Sequence, residues 1–208
     1  MADMDNEPPV MNHKEEVSSH LSSMGQRLFR FIEFDNDEVL LAEIRKHPVG
    51  LFFILFTGLL ISGAILAATS FLSSNLDYLG LDSGDNESLL RTVILALGFV
   101  VSSLGLLMTL ITVFLYRSNV VFVTDQKIAE VVYISLFNRR ILQLGIGNVE
   151  DVSVIQRGIL PRIFNYGSLV VETAGESENP AFTYVPNPNI NSQIIIQAHE
   201  EHVKKYGT

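Results

Sequence analysis

The sequence has no cysteine and no tryptophan, and only 18% of its 208 residues are charged. Without cysteine there is no disulfide framework, no thiolate nucleophile and no thiolate-ligated metal cluster. Basic residues are scarce too: 14 Lys+Arg stand against 23 Asp+Glu, a formal net charge of -9. Such a chain lacks the basic footprint that neutralises phosphates, so nucleic acid is not an expected partner. Soluble globular chains carry about 25% charged residues. Here apolar side chains make up 48% of the total, and many are gathered into two blocks.

Val49 to Phe71 and Thr92 to Tyr116 contain no charged side chain. As helices rising about 1.5 Å per residue, both are long enough for a hydrocarbon core of roughly 30 Å. Thirteen residues of the first block and fifteen of the second are Leu, Ile, Val or Phe. At the usual gain per residue, that favours insertion by about 4–9 kcal/mol per block. The blocks predict transmembrane helices over 49–71 and 92–116 joined by an external loop over 72–91. The first does not read as a signal peptide, because an acidic leader precedes it.

Orientation follows Lys and Arg near the helix ends. Arg45 and Lys46 precede the first block and Arg117 follows the second, whereas the loop carries Arg91 against Asp77, Asp82, Asp85 and Glu87. Both termini are therefore expected in the cytoplasm of a multi-pass cell-membrane protein. Along the blocks, Gly58, Ser62 and Thr69 share one helix face, as do Gly98, Ser102, Gly105 and Thr109. Small residues at such spacings let backbones approach, which predicts a tight hairpin or a dimer through one face. With no intramembrane charge and no internal proline in either block, a transport path is disfavoured.

Residues 1–20 form a polar leader expected to be disordered. Over 21–48 lies a juxtamembrane segment. Leu21, Met24, Leu28 and Phe31 or Ile32 recur at helical spacing with Arg27 and Arg30 nearby, which fits an amphipathic helix on the inner membrane surface or one packed on the following domain. Asp35-Asn36-Asp37 marks a turn. Glu38 to Arg45 reads equally as a strand or a helical extension. His47 beside Lys46 reads as an interfacial side chain, and Pro48 suits a helix start.

After Arg117 the period changes to that of strands. Val120–Thr124, Lys127–Ile134, Arg139–Leu144, Val149–Gln156, Ser168–Thr173 and Ala181–Val185 are β-rich runs separated by turn residues. Gly158 to Gly167 holds a short helical turn. Asn187 is placed to cap a final helix with Pro188 at its first position, and Ile190, Ile194, Ile195 and Ala198 give that helix an apolar stripe. The expected class is α+β: a two-helix transmembrane hairpin followed, over 118–206, by a small β sandwich or barrel closed by a C-terminal helix.

Four segments in order carry a family likeness: Val121-Phe122-Val123-Thr124-Asp125-Gln126-Lys127-Ile128, Ile146-Gly147-Asn148-Val149-Glu150-Asp151-Val152, Phe164 through Gly175, and Val185-Pro186-Asn187-Pro188. In these the chain resembles the bacterial membrane-associated PH-like domain family of the YdbS/YdbT type. The resemblance covers roughly 118–200 and the preceding helix pair. It implies a PH-like fold and no established catalytic activity.

Motifs for chemistry are few. His199-Glu200-Glu201-His202 has histidines three apart, not the four of a zinc-protease helix, and no third ligand is evident; a solvated helix face is expected. Gly145-Ile146-Gly147 lacks the third glycine and helix of a dinucleotide loop, and no Gly-x-Ser-x-Gly elbow exists. No catalytic residue, metal site or cofactor is expected. Phosphoinositide recognition needs converging cations, but the Thr124-Asp125-Gln126-Lys127 turn offers one beside a carboxylate. Arg139, Arg140, Arg157 and Arg162 are the candidate contacts to lipid or a partner. Gly58, Ser62, Gly98, Ser102 and Gly105 are the candidate helix-packing positions. The expected function is a non-enzymatic membrane scaffold displaying a PH-like interaction domain to a membrane protein partner or a second copy. The alternative is a module that senses anionic lipid of the inner leaflet.

Overall fold

The computed structural model describes residues 21, 25, 32, 38–76, 86–173 and 179–207. The leader over 1–20, most of the amphipathic segment, the Asp35-Asn36-Asp37 turn, the middle of the external loop and residues 174–178 lie outside the described residues. The chain divides into two compact units, one formed by Met1–His47 with Arg117–Thr208 and the other by Pro48–Tyr116. In order, the elements are β1 (Leu40–Arg45), α1 (Pro48–Ser74), α2 (Glu87–Ser118), β2 (Val120–Thr124), β3 (Lys127–Tyr133), β4 (Arg139–Gly145), β5 (Val149–Ile155), α3 (Ile159–Ile163), β6 (Tyr166–Thr173), β7 (Ala181–Pro186) and α4 (Pro188–Tyr206).

The first unit is built from two antiparallel sheets, β1-β2-β3-β4 and β5-β6-β7. Alternation along the strands sends Val121, Val123, Ile128 and Leu144 to the inner face, where they meet Leu169, Val171, Phe182 and, from α4, Ile195 and Ala198. Each such buried side chain contributes about 1.5–3 kcal/mol. The outer face is covered as well: Val120, Phe122, Ala129 and Val131 cluster with Leu21 and Ile32. Strand β2 is thus buried on both faces throughout, which is why its sequence is a continuous apolar run rather than an alternating one. At Leu21 and Ile32, the two described positions of the amphipathic pattern that cluster here, the side chains pack on the domain.

The main departure from the expected domain limits concerns Glu38 to His47. Expected as part of a juxtamembrane segment, it supplies β1, which pairs with β2 from Leu40↔Thr124 to Arg45↔Val120. The domain therefore starts before the helices, and the hairpin interrupts it between two neighbouring strands. Hydrogen bonds fix this arrangement. At its start, Val39 N–H donates to Asp125 Oδ1 (2.8 Å) and Asp125 N–H donates to Val39 O (3.1 Å); beyond its end, His47 N–H donates to Tyr184 O at 2.6 Å.

Helix α4 corrects two expectations. Asn187 adopts the left-handed region (φ 43°) and makes no side-chain cap; its Oδ1 instead accepts from Asn165 Nδ2 at 2.7 Å. Pro188 does sit at the helix start. Ile190 is 57% exposed, and the buried face is Pro188, Ser192, Ile195 and Ala198. A serine is tolerated there because its hydroxyl donates to Asn189 O at 2.9 Å.

The second unit is the pair α1 and α2, each long and apolar enough to cross a membrane. Phe52, Leu59, Phe71, Phe99 and Met108 are among many large apolar side chains that it exposes. Water-soluble monomers seldom show apolar patches beyond a few hundred Å².

Candidate functional site

The β unit has two distinct ends. The junction end carries His47 and Arg117, where the chain leaves for α1 and returns from α2. There the His47 ring stacks on Tyr166 (5.3 Å between centroids, 23° between planes), and Tyr166 stacks on Tyr184 (5.7 Å, 11°). The three non-glycine residues with positive φ, among those described, are Asn165, Tyr184 and Asn187, all beside this stack. Asparagine tolerates that conformation; tyrosine does so at a cost. The His47–Tyr184 backbone bond and the ring stack hold Tyr184 there.

Charge near this end is partly desolvated. Burial lowers the Lys46 ammonium from its usual 10.5, with the Glu130 carboxylate pulling it back upward. Burial raises the Glu130 carboxyl from 4.5, opposed by Lys46 and Arg140. His47 is lowered from 6.5 by burial. Lys46, Asn119, Glu130 and Thr183 line a recess with Ile44 and Phe182, which is too shallow to enclose an organic substrate.

Arg139 and Arg140 open β4, directly after the β3–β4 loop, and Arg157 and Arg162 lie in the β5–β6 connection; all four are exposed. The first pair sits on an edge strand of one sheet and the second in a connection between two strands of the other, but both lie at the same end. Tyr133, which leads into the β3–β4 loop, donates its N–H to Asn119 Oδ1 at 2.8 Å, two residues after Arg117. Tyr166, which closes the β5–β6 connection, stacks on His47. The arginines thus form two exposed pairs at one end rather than a single converging cluster.

Within the hairpin, the five small residues line the contact between α1 and α2. The Ser62 hydroxyl donates to Ser102 O (3.5 Å) and the Ser102 hydroxyl to Ser62 O (3.2 Å). A Cβ added at Gly58 would collide with Thr109, and one at Gly98 with Thr69. At Gly105 an added Cβ would lie 3.3 Å from Ser62 Oγ. These faces are used inside one chain.

The far end is closed by polar contacts. The buried Glu38 carboxylate pairs with Lys127 Nζ at 3.1 Å and accepts the Thr124 hydroxyl at 2.6 Å. The Thr124 oxygen also accepts the N–H groups of Gln126 (3.2 Å) and Lys127 (2.9 Å), which fixes the β2–β3 turn. From α4, His199 Nδ1 contacts Ile146 O at 2.9 Å and His202 Nδ1 contacts Asp125 O at 3.2 Å. The two histidines were expected on a solvated helix face. They face the domain instead, and the Nδ1 of each meets a backbone carbonyl. Among the described residues no group of three metal-ligating side chains converges.

Sequence reasoning missed the ring stack and the Glu38–Lys127 pair, because their members are far apart in the chain. The one available signal was Thr124-Asp125, whose side chains hold the turn and the start of β1. A family model described as Bacterial PH domain matches residues 39–195. That span begins at β1 and includes the helices. No curated protein and no solved structure matches the chain.

Proposed function

The chain belongs to the bacterial PH domain family, and from that membership we propose that it is a non-enzymatic membrane scaffold. Its hairpin spans the bilayer and its PH-like domain is displayed at the cytoplasmic face, where it binds a membrane protein partner or a second copy. The observation that carries this reading is the position of the hairpin between the hydrogen-bonded strands β1 and β2. Because Arg45 pairs with Val120, both ends of a membrane-crossing hairpin must emerge on the same side as the domain. The domain is then tethered at two points, not one. Arg45, Lys46 and Arg117 beside those ends support a cytoplasmic side, since basic residues flank spans on that face.

A double tether confines the domain to two dimensions and raises its effective concentration toward other membrane-bound chains. Strands β4 and β5 each end their sheet, and such an edge accepts a peptide by strand addition. Since the small-residue faces of α1 and α2 are occupied within the hairpin, self-association falls to the domain. Crosslinking in intact cells, followed by purification in mild detergent, tests this. The expected result is a stoichiometric partner or a second copy crosslinked through the domain. A monodisperse monomer with no crosslinked partner would contradict it.

The second reading, sensing of anionic lipid, is favoured by the four exposed arginines at the junction end. Its test requires the full chain, because a fragment beginning at residue 118 lacks β1 and would bare one edge of β2.

A further inference from the structure

The junction end also carries exposed apolar residues that neither core uses. In the β3–β4 loop Phe137 is 99% exposed, with Ile134 and Leu136 beside it. In the β5–β6 connection Ile159, Ile163 and Phe164 are exposed. Arg139 and Arg140 follow the first group, and Arg157 and Arg162 flank and interleave the second. Both loops adjoin residues that touch the junctions: Tyr133 bonds to Asn119, and Tyr166 stacks on His47. The far end differs, since among the described residues Glu38, Thr124, His199 and His202 are engaged by the domain itself.

We infer that these two loops seat the domain on the bilayer, with Phe137, Ile159, Ile163 and Phe164 entering the interface and the arginines lying among anionic headgroups. The inference rests on the reading that the hairpin spans the membrane. Three observations select lipid as the occupant. The chain leaves this end directly into α1 and returns from α2, so a spanning hairpin brings this end to the membrane surface. Apolar and basic residues lie side by side in both loops, as in interfacial segments, where apolar side chains are buried beside the headgroups and cations meet anionic lipid. The charge along these loops is positive although the whole chain carries -9. Seating would orient the domain and leave the edges of β4 and β5 open to a protein.

The absence of native tryptophan allows a direct test. Full-length chains with Phe137→Trp, Phe164→Trp, Phe99→Trp or Tyr206→Trp are reconstituted into vesicles containing phosphatidylglycerol and brominated phosphatidylcholine. Phe137 and Phe164 are exposed and Phe99 lies outward on α2, so these substitutions leave packing intact. Tyr206 belongs to the last turn of α4, whose His202 contacts the far end. The expected result is strong bromolipid quenching at 99, clear quenching at 137 and 164, and none at 206. Replacing Arg140, Arg157 and Arg162 by Gln should weaken seating by about fivefold per arginine in anionic vesicles, with no change in zwitterionic ones. Quenching at 99 without quenching at 137 and 164 would overturn seating while leaving the anchor standing. No quenching at 99 would overturn both. Shielding of 137 and 164 from an aqueous quencher without bromolipid quenching would place protein there, and would also overturn the inference.

Discussion

The two ends of the β domain solve the problem of polar and apolar surface differently. At the far end, Glu38 is fully buried yet paired with Lys127 and bonded to Thr124, and both α4 histidines meet backbone carbonyls. Among the described residues, these groups are satisfied within the domain. At the junction end, arginines and large apolar side chains are exposed together, and burial disfavours the charged forms of Lys46 and Glu130 although each partly stabilises the other. Under the proposed function, the contrast separates stability from recognition: one end holds the fold, and the other is the end proposed to meet the membrane.

The strongest way to break the comparison is at the far end. Lys127→Met removes the ammonium 3.1 Å from the buried Glu38 carboxylate, and should cost about 3–5 kcal/mol, read as a lowered denaturant midpoint for the full chain in detergent. Thr124→Val keeps the shape but removes the hydroxyl that serves Glu38 and two turn N–H groups. A loss of about 1–3 kcal/mol is expected, measured in the same way. If either variant were neutral, the far end would not be the structural one.

Smaller effects are expected at the junction end. The folded-state pKa of His47 lies below 6.5, so the unfolded chain takes up a proton first as pH falls. Stability is then full above 6.5 and declines as pH drops from 6.5 toward the folded value. Glu130, raised above 4.5, acts in the opposite sense: its folded form holds a proton longer, so stability declines as pH rises from 4.5 through its folded value. Unfolding midpoints on either side of 6.5 should show a shallower decline on acidification in His47→Gln than in the parent. An unchanged slope would mean that the His47 ring is not desolvated. The smallest change belongs to Phe137→Ser, which should alter stability by no more than about 0.5 kcal/mol in detergent unfolding. A large loss there would show that the loop belongs to the core.

Six strands and the closing helix were legible in the sequence because each is a local pattern bounded by turn residues. Val120–Thr124 matches the expected run residue for residue. Strand β1 was one of two equal readings of Glu38 to Arg45, because its partner lies beyond both helices (Arg45 pairs with Val120) and its short run merges into the charged residues before the hairpin. The likeness to the family was readable from Thr124-Asp125 and the segments after it, whereas the family match begins at residue 39. Ile190 was misplaced for a different reason. Helical periodicity identifies a stripe but not which edge of the stripe faces the sheet, and here Ser192 takes the buried position. The four arginines were named as a group, but only the fold shows that two separate loops carry them to one end. The exposed Phe137 was invisible as a site, since a phenylalanine beside a strand normally reads as core.

The most direct test of the central claim is thiol labelling of the full chain in intact cells, which the lack of native cysteine makes unambiguous. Asn86→Cys sits between the two helices and Tyr206→Cys at the end of α4. A membrane-impermeant maleimide should label the first without permeabilisation and the second only after it. Labelling of both sites without permeabilisation, or of neither until after it, would put the two sites on one side of the membrane and contradict a spanning hairpin set between β1 and β2.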